Sequence, residues 1–124
     1  MNTPTRSHAC ARLTFQPTAQ ALLSDSQQWV TALTAATEHA GATVLDQCAH
    51  EFNPHGCSVV LLLSESHASV HTWPEHNLAE IDIYTCGDIN AHNALEHLIE
   101  QLQPTHVARY QITLEHTHNR LATQ

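Results

Sequence analysis

The 124-residue chain contains no lysine, and its four arginines, at 6, 12, 109 and 120, face twelve acidic residues. The formal charge is −8. Such a surface repels phosphate backbones and carries no basic stripe, which argues against a nucleic-acid partner and favours a cationic small molecule. The missing lysine excludes something more specific. A pyridoxal phosphate enzyme holds its cofactor on a lysine Schiff base, and no lysine is present to hold one. Any carbonyl–amine chemistry performed here must draw its carbonyl from elsewhere.

Long apolar runs are missing as well. No stretch approaches the ~20 residues that cross a bilayer, and MNTPTRSHACARL has no signal-peptide core, so the expected location is cytoplasmic, away from membranes. The cysteines at 10, 48, 57 and 86 form no C-x-x-C pair and are expected to be free thiols. Glycine occurs only at 41, 56 and 87, and neither G-x-x-x-x-G-K, G-x-G-x-x-G nor G-x-S-x-G is found. Phosphate-cradling and serine-hydrolase readings therefore lose ground. Twelve histidines invite a metal reading, with His67 and His71, or His116 and His118, able to share a strand face. No H-E-x-x-H or paired cysteines supply the remaining ligands, so no metal site is expected. A histidine-rich metal binder stays as an alternative that predicts stoichiometric zinc or nickel.

The patterns that are present describe one domain over residues 1–124, with enough apolar content for a modest core. Residues 8–16 form a weak strand. Residues 24–41 form a helix, with Ser24 and Gln27 resembling a capping box and Trp29, Leu33, Ala36 and Ala40 on one face. A strand over 42–52, a turn at 53–56 and the apolar strand CSVVLLL (57–63) follow. That run reads as a strand covered on both sides or placed at a subunit interface. Further strands are predicted over 67–73 and 78–86. In the second, Ala79, Ile81 and Ile83 lie on one face and Glu80, Asp82, Tyr84 and Cys86 on the other. Asp88 or Asn90 caps a helix over 90–103 with core positions Ala91, Leu95, Leu98 and Leu102, and a last strand spans 106–116. The fold class is α+β: a two-layer sandwich, mainly antiparallel, with two helices on one face of the sheet.

The residues left to carry chemistry are the Glu65-Ser66 pair, His71 and Cys86. Serine beside a base acts as a nucleophile, histidine moves protons near neutral pH, and cysteine donates a proton where its site permits. Read without context, Ser66 ends a strand, His71 packs and Cys86 is core. Ser66 and His71 are also five apart, which on a flat strand puts them on opposite faces.

LLLSESHASVHTWPE (61–75), followed by IDIYTCGD (81–88), resembles the pyruvoyl-dependent S-adenosylmethionine decarboxylases of the bacterial and archaeal type, and AGATVL (40–45) and HEFNPHGCS (50–58) extend the likeness. The resemblance implies a precursor that cuts itself between Glu65 and Ser66 into 1–65 and 66–124. Ser66 would be the internal nucleophile, His71 the histidine that assists processing, and Ser58 a serine tied to it. The resulting cofactor would be a pyruvoyl group made from Ser66, which answers the missing lysine. Cys86 would return a proton to the substrate's α-carbon. Phe52 would stack on adenine, and Glu75 would hold the ribose hydroxyls. The family's bacterial members are homodimers of processed protomers with sites at the subunit interface, and their substrates are small, cationic and amino-acid-like.

The likeness breaks in places. Family chains continue Tyr-Gly-Tyr-Ala-Ala after Trp-Pro-Glu, where this chain has His76-Asn77-Leu78-Ala79-Glu80. The amino-terminal Gly-x-His opening is not recognisable in ACARLTFQP, and Cys57 replaces a common valine. Lost aromatic rings and the added Glu80 leave a decarboxylase of ornithine or arginine as an alternative to S-adenosylmethionine, and a non-processed binding or regulatory paralogue as a second.

Overall fold

The computed structural model describes residues 5–118. Strand β1 (Arg6–Thr14) leads through a single 3-10 turn and the short helix α1 (Gln20–Leu23) into helix α2 (Ser26–His39). Strands β2 (Val44–Glu51), β3 (Cys57–Leu63), β4 (Ser66–Trp73) and β5 (Leu78–Cys86) follow in sequence, then helix α3 (Ala91–Leu102) and strand β6 (His106–Tyr110). All six strands join one antiparallel sheet in the order β2-β3-β4-β5-β1-β6. Helix α2 packs over β2, β3 and β4, α3 over β1 and β5, and the two helices pack on each other. The expected two-layer sandwich is the observed one, with α1 as a short third helix that the apolar periodicity did not mark.

Helix α2 buries Trp29, Val30, Leu33, Ala36 and Thr37, positions one or two turns apart on a single stripe. Its cap is Asp25, whose Oδ1 accepts from the N–H groups of Gln27 (3.0 Å) and Gln28 (3.2 Å). The expected Ser24 capping box does not form, because Ser24 closes α1 through its own N–H on the Gln20 carbonyl. The fully buried Trp29 donates from Nε1 to the Leu22 carbonyl at 2.9 Å, so the end of α1 satisfies the polar atom of the largest core side chain. Next to it, the buried Thr72 hydroxyl accepts from the Cys57 N–H (2.9 Å) and donates to the Leu23 carbonyl (2.6 Å). One side chain thus ties β3, β4 and α1 together.

Strand alternation sets the two faces of the sheet. Ala79, Ile81, Ile83 and Thr85 of β5 are buried under the helices, while Glu80, Asp82, Tyr84 and Cys86 occupy the opposite, open face. In β3, Cys57, Val59, Leu61 and Leu63 are buried, but Val60 (42%) and Leu62 (52%) are exposed on the open face. The cover on both sides expected for β3 is therefore missing in the single chain. Strand β6 pairs with β1 only from Cys10 to Thr14 and stops at Tyr110, short of the expected 116. After β4, a 3-10 turn over Pro74–His76 is closed by Asn77 in the left-handed conformation (φ 56°). The resembling family has glycine here, and asparagine tolerates that conformation better than most residues with a Cβ.

Candidate active site

The sequence-predicted residues fall into two groups at opposite ends of the open face. The first surrounds the β3–β4 hairpin. The Thr43 N–H donates to a Glu65 carboxylate oxygen at 3.0 Å, and the Ser64 N–H donates to the Thr43 carbonyl at 2.9 Å, which fixes the hairpin against the chain leaving α2. The Thr43 N–H and the Ser64 hydroxyl hold the Glu65 carboxyl below its ordinary pKa. Its main-chain carbonyl accepts from the Cys86 N–H at 2.9 Å. Ser66 follows with φ 137°, a region that residues with a Cβ rarely adopt and that costs of order 1–3 kcal/mol. The peptide expected to be cut thus combines a polarised carbonyl with a strained serine.

Around it lie residues that sequence reasoning did not assign to the site. Ser66 Oγ is 3.1 Å from His67 Nδ1, and His67 Nε2 is 3.4 Å from Asp82 Oδ2. The His67 ring stacks on Tyr84, with centroids 5.8 Å apart and planes at 16°. Asp82 is also bonded to His8 Nε2, and Cys10 donates to the same carboxylate at 2.9 Å. Burial pushes the Asp82 carboxyl up, but bonds from Cys10 and His8 outweigh it and leave the group below its ordinary value. Burial, with Asp82 alongside, pushes the Cys10 thiol up to about 12. The alternation of β5 had already put Asp82, Tyr84 and Cys86 on one face. Only the strand order brings β1 and β4 to either side of them.

The second group lies at the far end. Ser58 Oγ and His71 Nδ1 are 2.6 Å apart, as their register across β3 and β4 requires. Glu75, in the turn after β4, faces His55 Nε2 at 3.4 Å, and its carboxyl is lowered first by its own backbone N–H and then by His55. Phe52 is half-exposed in the β2–β3 turn, edge-on to His50.

The structure therefore does not bring His71 to Ser66. They sit five residues apart on a continuous strand, about 16 Å at ~3.3 Å per residue. Each end holds half of the expected site: Glu65, Ser66 and Cys86 at one, Ser58, His71, Phe52 and Glu75 at the other. Glu80, between them, is held by Arg12 Nε at 2.6 Å and accepts from the Tyr110 hydroxyl at 3.1 Å. It is not a free carboxylate for a second positive charge on a substrate.

The His67–His71 pair raised as a metal candidate is not joined. His67 faces Ser66 and Asp82, while His71 faces Ser58. His116 and His118 follow the last strand in a segment that pairs with no strand among the described residues. His8, Cys10 and Asp82 do gather three potential ligand atoms within 4.8 Å of one another, a grouping the sequence spacing gave no sign of. These atoms are already bonded to one another.

Among the described residues, no helix is long and apolar enough to cross a membrane. A sequence model of the S-adenosylmethionine decarboxylase family matches residues 13–113. The S-adenosylmethionine decarboxylase proenzyme of Aquifex aeolicus (strain VF5) is 46% identical over 76 residues, which are 60% of this chain and 56% of that protein. The chain thus spans little more than half the length of that relative. The proenzyme of the same description from Thermoplasma volcanium is 40% identical over 92 residues, 73% of this chain and 71% of its own length. The crystal structure of the adenosylmethionine decarboxylase from Aquifex aeolicus VF5 superposes with a TM-score of 0.76 at 31% identity, covering 95% of this chain and 100% of that one. Sequence and fold agree across the segments that build both ends of the open face, and the chain belongs to the S-adenosylmethionine decarboxylase family.

Proposed function

We propose that the chain is a precursor that cuts itself between Glu65 and Ser66, and that residue 66 becomes the pyruvoyl group of an S-adenosylmethionine decarboxylase. The observation that carries this reading is the Glu65-Ser66 peptide itself. Its carbonyl oxygen accepts from the Cys86 N–H at 2.9 Å, and its serine is held at φ 137°. Negative charge that develops on that oxygen during attack by the Ser66 hydroxyl meets a donor already in place. Relief of the strained serine backbone favours the cut.

The residues present fit a pyruvoyl group at 66. Its source is in the hairpin, and no lysine competes for the role of carbonyl holder. When formed, the group supplies an electron-accepting carbonyl for an α-amino acid that loses carbon dioxide. The half-buried Cys86, whose N–H reaches the Glu65 carbonyl, supports a role as the acid that returns a proton to the α-carbon. Phe52 presents an exposed ring for a flat base, and Glu75 an exposed carboxylate for hydroxyl groups.

Two copies would complete the site. The open face leaves Val60, Leu62 and Trp73 exposed, and a sheet face of this kind is stabilised by covering it. Packing two open faces together with opposite strand directions would turn the end that carries Ser58, His71, Phe52 and Glu75 of the partner subunit toward Glu65, Ser66 and Cys86. That arrangement gives the processing histidine a route to Ser66 which the single chain does not offer. The salt bridge that occupies Glu80 takes away one of the two features that had favoured ornithine or arginine, the other being the lost aromatic rings.

The test is release of labelled carbon dioxide from carboxyl-labelled S-adenosylmethionine, ornithine and arginine by the purified, cleaved protein. Release from S-adenosylmethionine alone is expected. Turnover of ornithine or arginine in its place overturns the substrate assignment.

A further inference from the structure

We propose that His67 is a catalytic residue of the self-cleavage step, the base that takes the Ser66 hydroxyl proton, and that Asp82 is the positioning residue that holds its ring. This rests on the self-cleavage reading above and names the group that starts it. His67 Nδ1 is 3.1 Å from Ser66 Oγ, within hydrogen-bond reach. Its Nε2 faces Asp82 Oδ2 at 3.4 Å. A carboxylate at that nitrogen favours the Nε2–H tautomer, which leaves the Nδ1 lone pair directed at the serine. The Tyr84 ring lies nearly parallel to the His67 ring, with centroids 5.8 Å apart, and bonds from His8 and Cys10 hold the carboxylate in turn. Asp82, held below its ordinary pKa by these bonds, is an ionised acceptor at neutral pH.

The step balances without any co-reactant. Ser66 Oγ forms a bond to the Glu65 carbonyl carbon, and its proton passes to His67 Nδ1. Charge on the carbonyl oxygen is met by the Cys86 N–H. The bond from that carbon to the Ser66 nitrogen then breaks, and His67 returns the proton to the departing nitrogen. An amide has become an ester plus an amine. His71 does not substitute for His67 within the chain, because it is bonded to Ser58 at the other end of β4.

The experiment uses the full-length His67→Ala precursor, purified and followed by intact mass with and without added imidazole, beside the wild type. The expected result is a folded, whole precursor that cleaves ~100-fold or more slowly than the wild type. Imidazole diffusing into the vacated space restores cleavage. Asp82→Asn is expected to slow cleavage and to move its pH profile without altering the far-ultraviolet spectrum. His67→Asn keeps a polar group near Ser66 but takes no proton, so it replaces the alanine variant if that one does not fold. Cleavage of either His67 variant at the wild-type rate overturns the inference and leaves the self-cleavage reading intact. A folded but whole His67→Ala chain that imidazole cannot rescue also overturns the base role. A wild type that stays whole overturns both.

Discussion

Chains carrying His71→Ala and Ser66→Ala, expressed together and told apart by mass, test whether one cleavage site draws on two copies. The strand geometry sets the expectation. Five residues of β4 separate Ser66 from His71, about 16 Å, whereas a proton passes over a contact of about 3 Å. For His71 to act at Ser66, it must then come from the partner subunit, beside the His67 of the same chain. Expressed alone, His71→Ala should cleave ~10²- to 10⁴-fold more slowly than the wild type, the usual worth of a positioned acid–base group, and Ser66→Ala should not cleave at all. With random pairing, about half of the pairs are mixed, and each holds one chain with an intact Ser66 facing an intact histidine. Roughly a quarter of all chains should be cut, all of them His71→Ala chains. Size-exclusion and denaturing mass measurements on the same sample give both pairing and cleavage. A mixture in which His71→Ala chains stay whole refutes the two-copy site. So does a His71→Ala protein that cleaves normally by itself.

Three further outcomes follow from particular contacts. Cys86→Ala should still yield a cleaved protein, because the main-chain N–H at 86 is kept, but carbon dioxide release should fall ~10²- to 10⁴-fold in a steady-state assay. Thr72→Val, in the uncleavable Ser66→Ala background, leaves the Cys57 N–H and the Leu23 carbonyl without their buried partner and should cost about 2–4 kcal/mol in urea unfolding. Asp82 has a folded pKa below that of the unfolded chain. Its contribution to stability is therefore present above an unfolded value of about 3.9 and lost as pH falls through the folded one. The Tm advantage of Ser66→Ala over Ser66→Ala with Asp82→Asn should accordingly shrink below about pH 4, and an advantage that grows there contradicts the sign.

Sequence periodicity reached the fold because most elements obey a clean period. Strand β5 matches its expected bounds, as does β3, and α2 and α3 show their core stripes with ends shifted by one or two residues. Local competition explains the misses. Ser24 was taken by α1 and left the cap to Asp25, and β6 ended where β1 ceased to pair with it. The Glu65-Ser66 motif was legible because it is contiguous. The division of the site into two ends was not, since a period of two tells which face a residue occupies but not which end of the sheet it shares with others. His67 and Asp82 were each visible alone, but their contact depends on the β4–β5 pairing that sets His67 opposite Tyr84. His8 and Cys10 lay on a strand whose alternation was weak, and β1 joins β5 only through the β5-β1-β6 strand order.

The most direct test is the intact mass of the purified wild-type chain under denaturing conditions. The account predicts two fragments, residues 1–65 ending in a free Glu65 carboxyl and residues 66–124 with a blocked pyruvoyl terminus. A single chain that remains whole after long incubation would contradict it and move the chain to a non-catalytic role on the same fold.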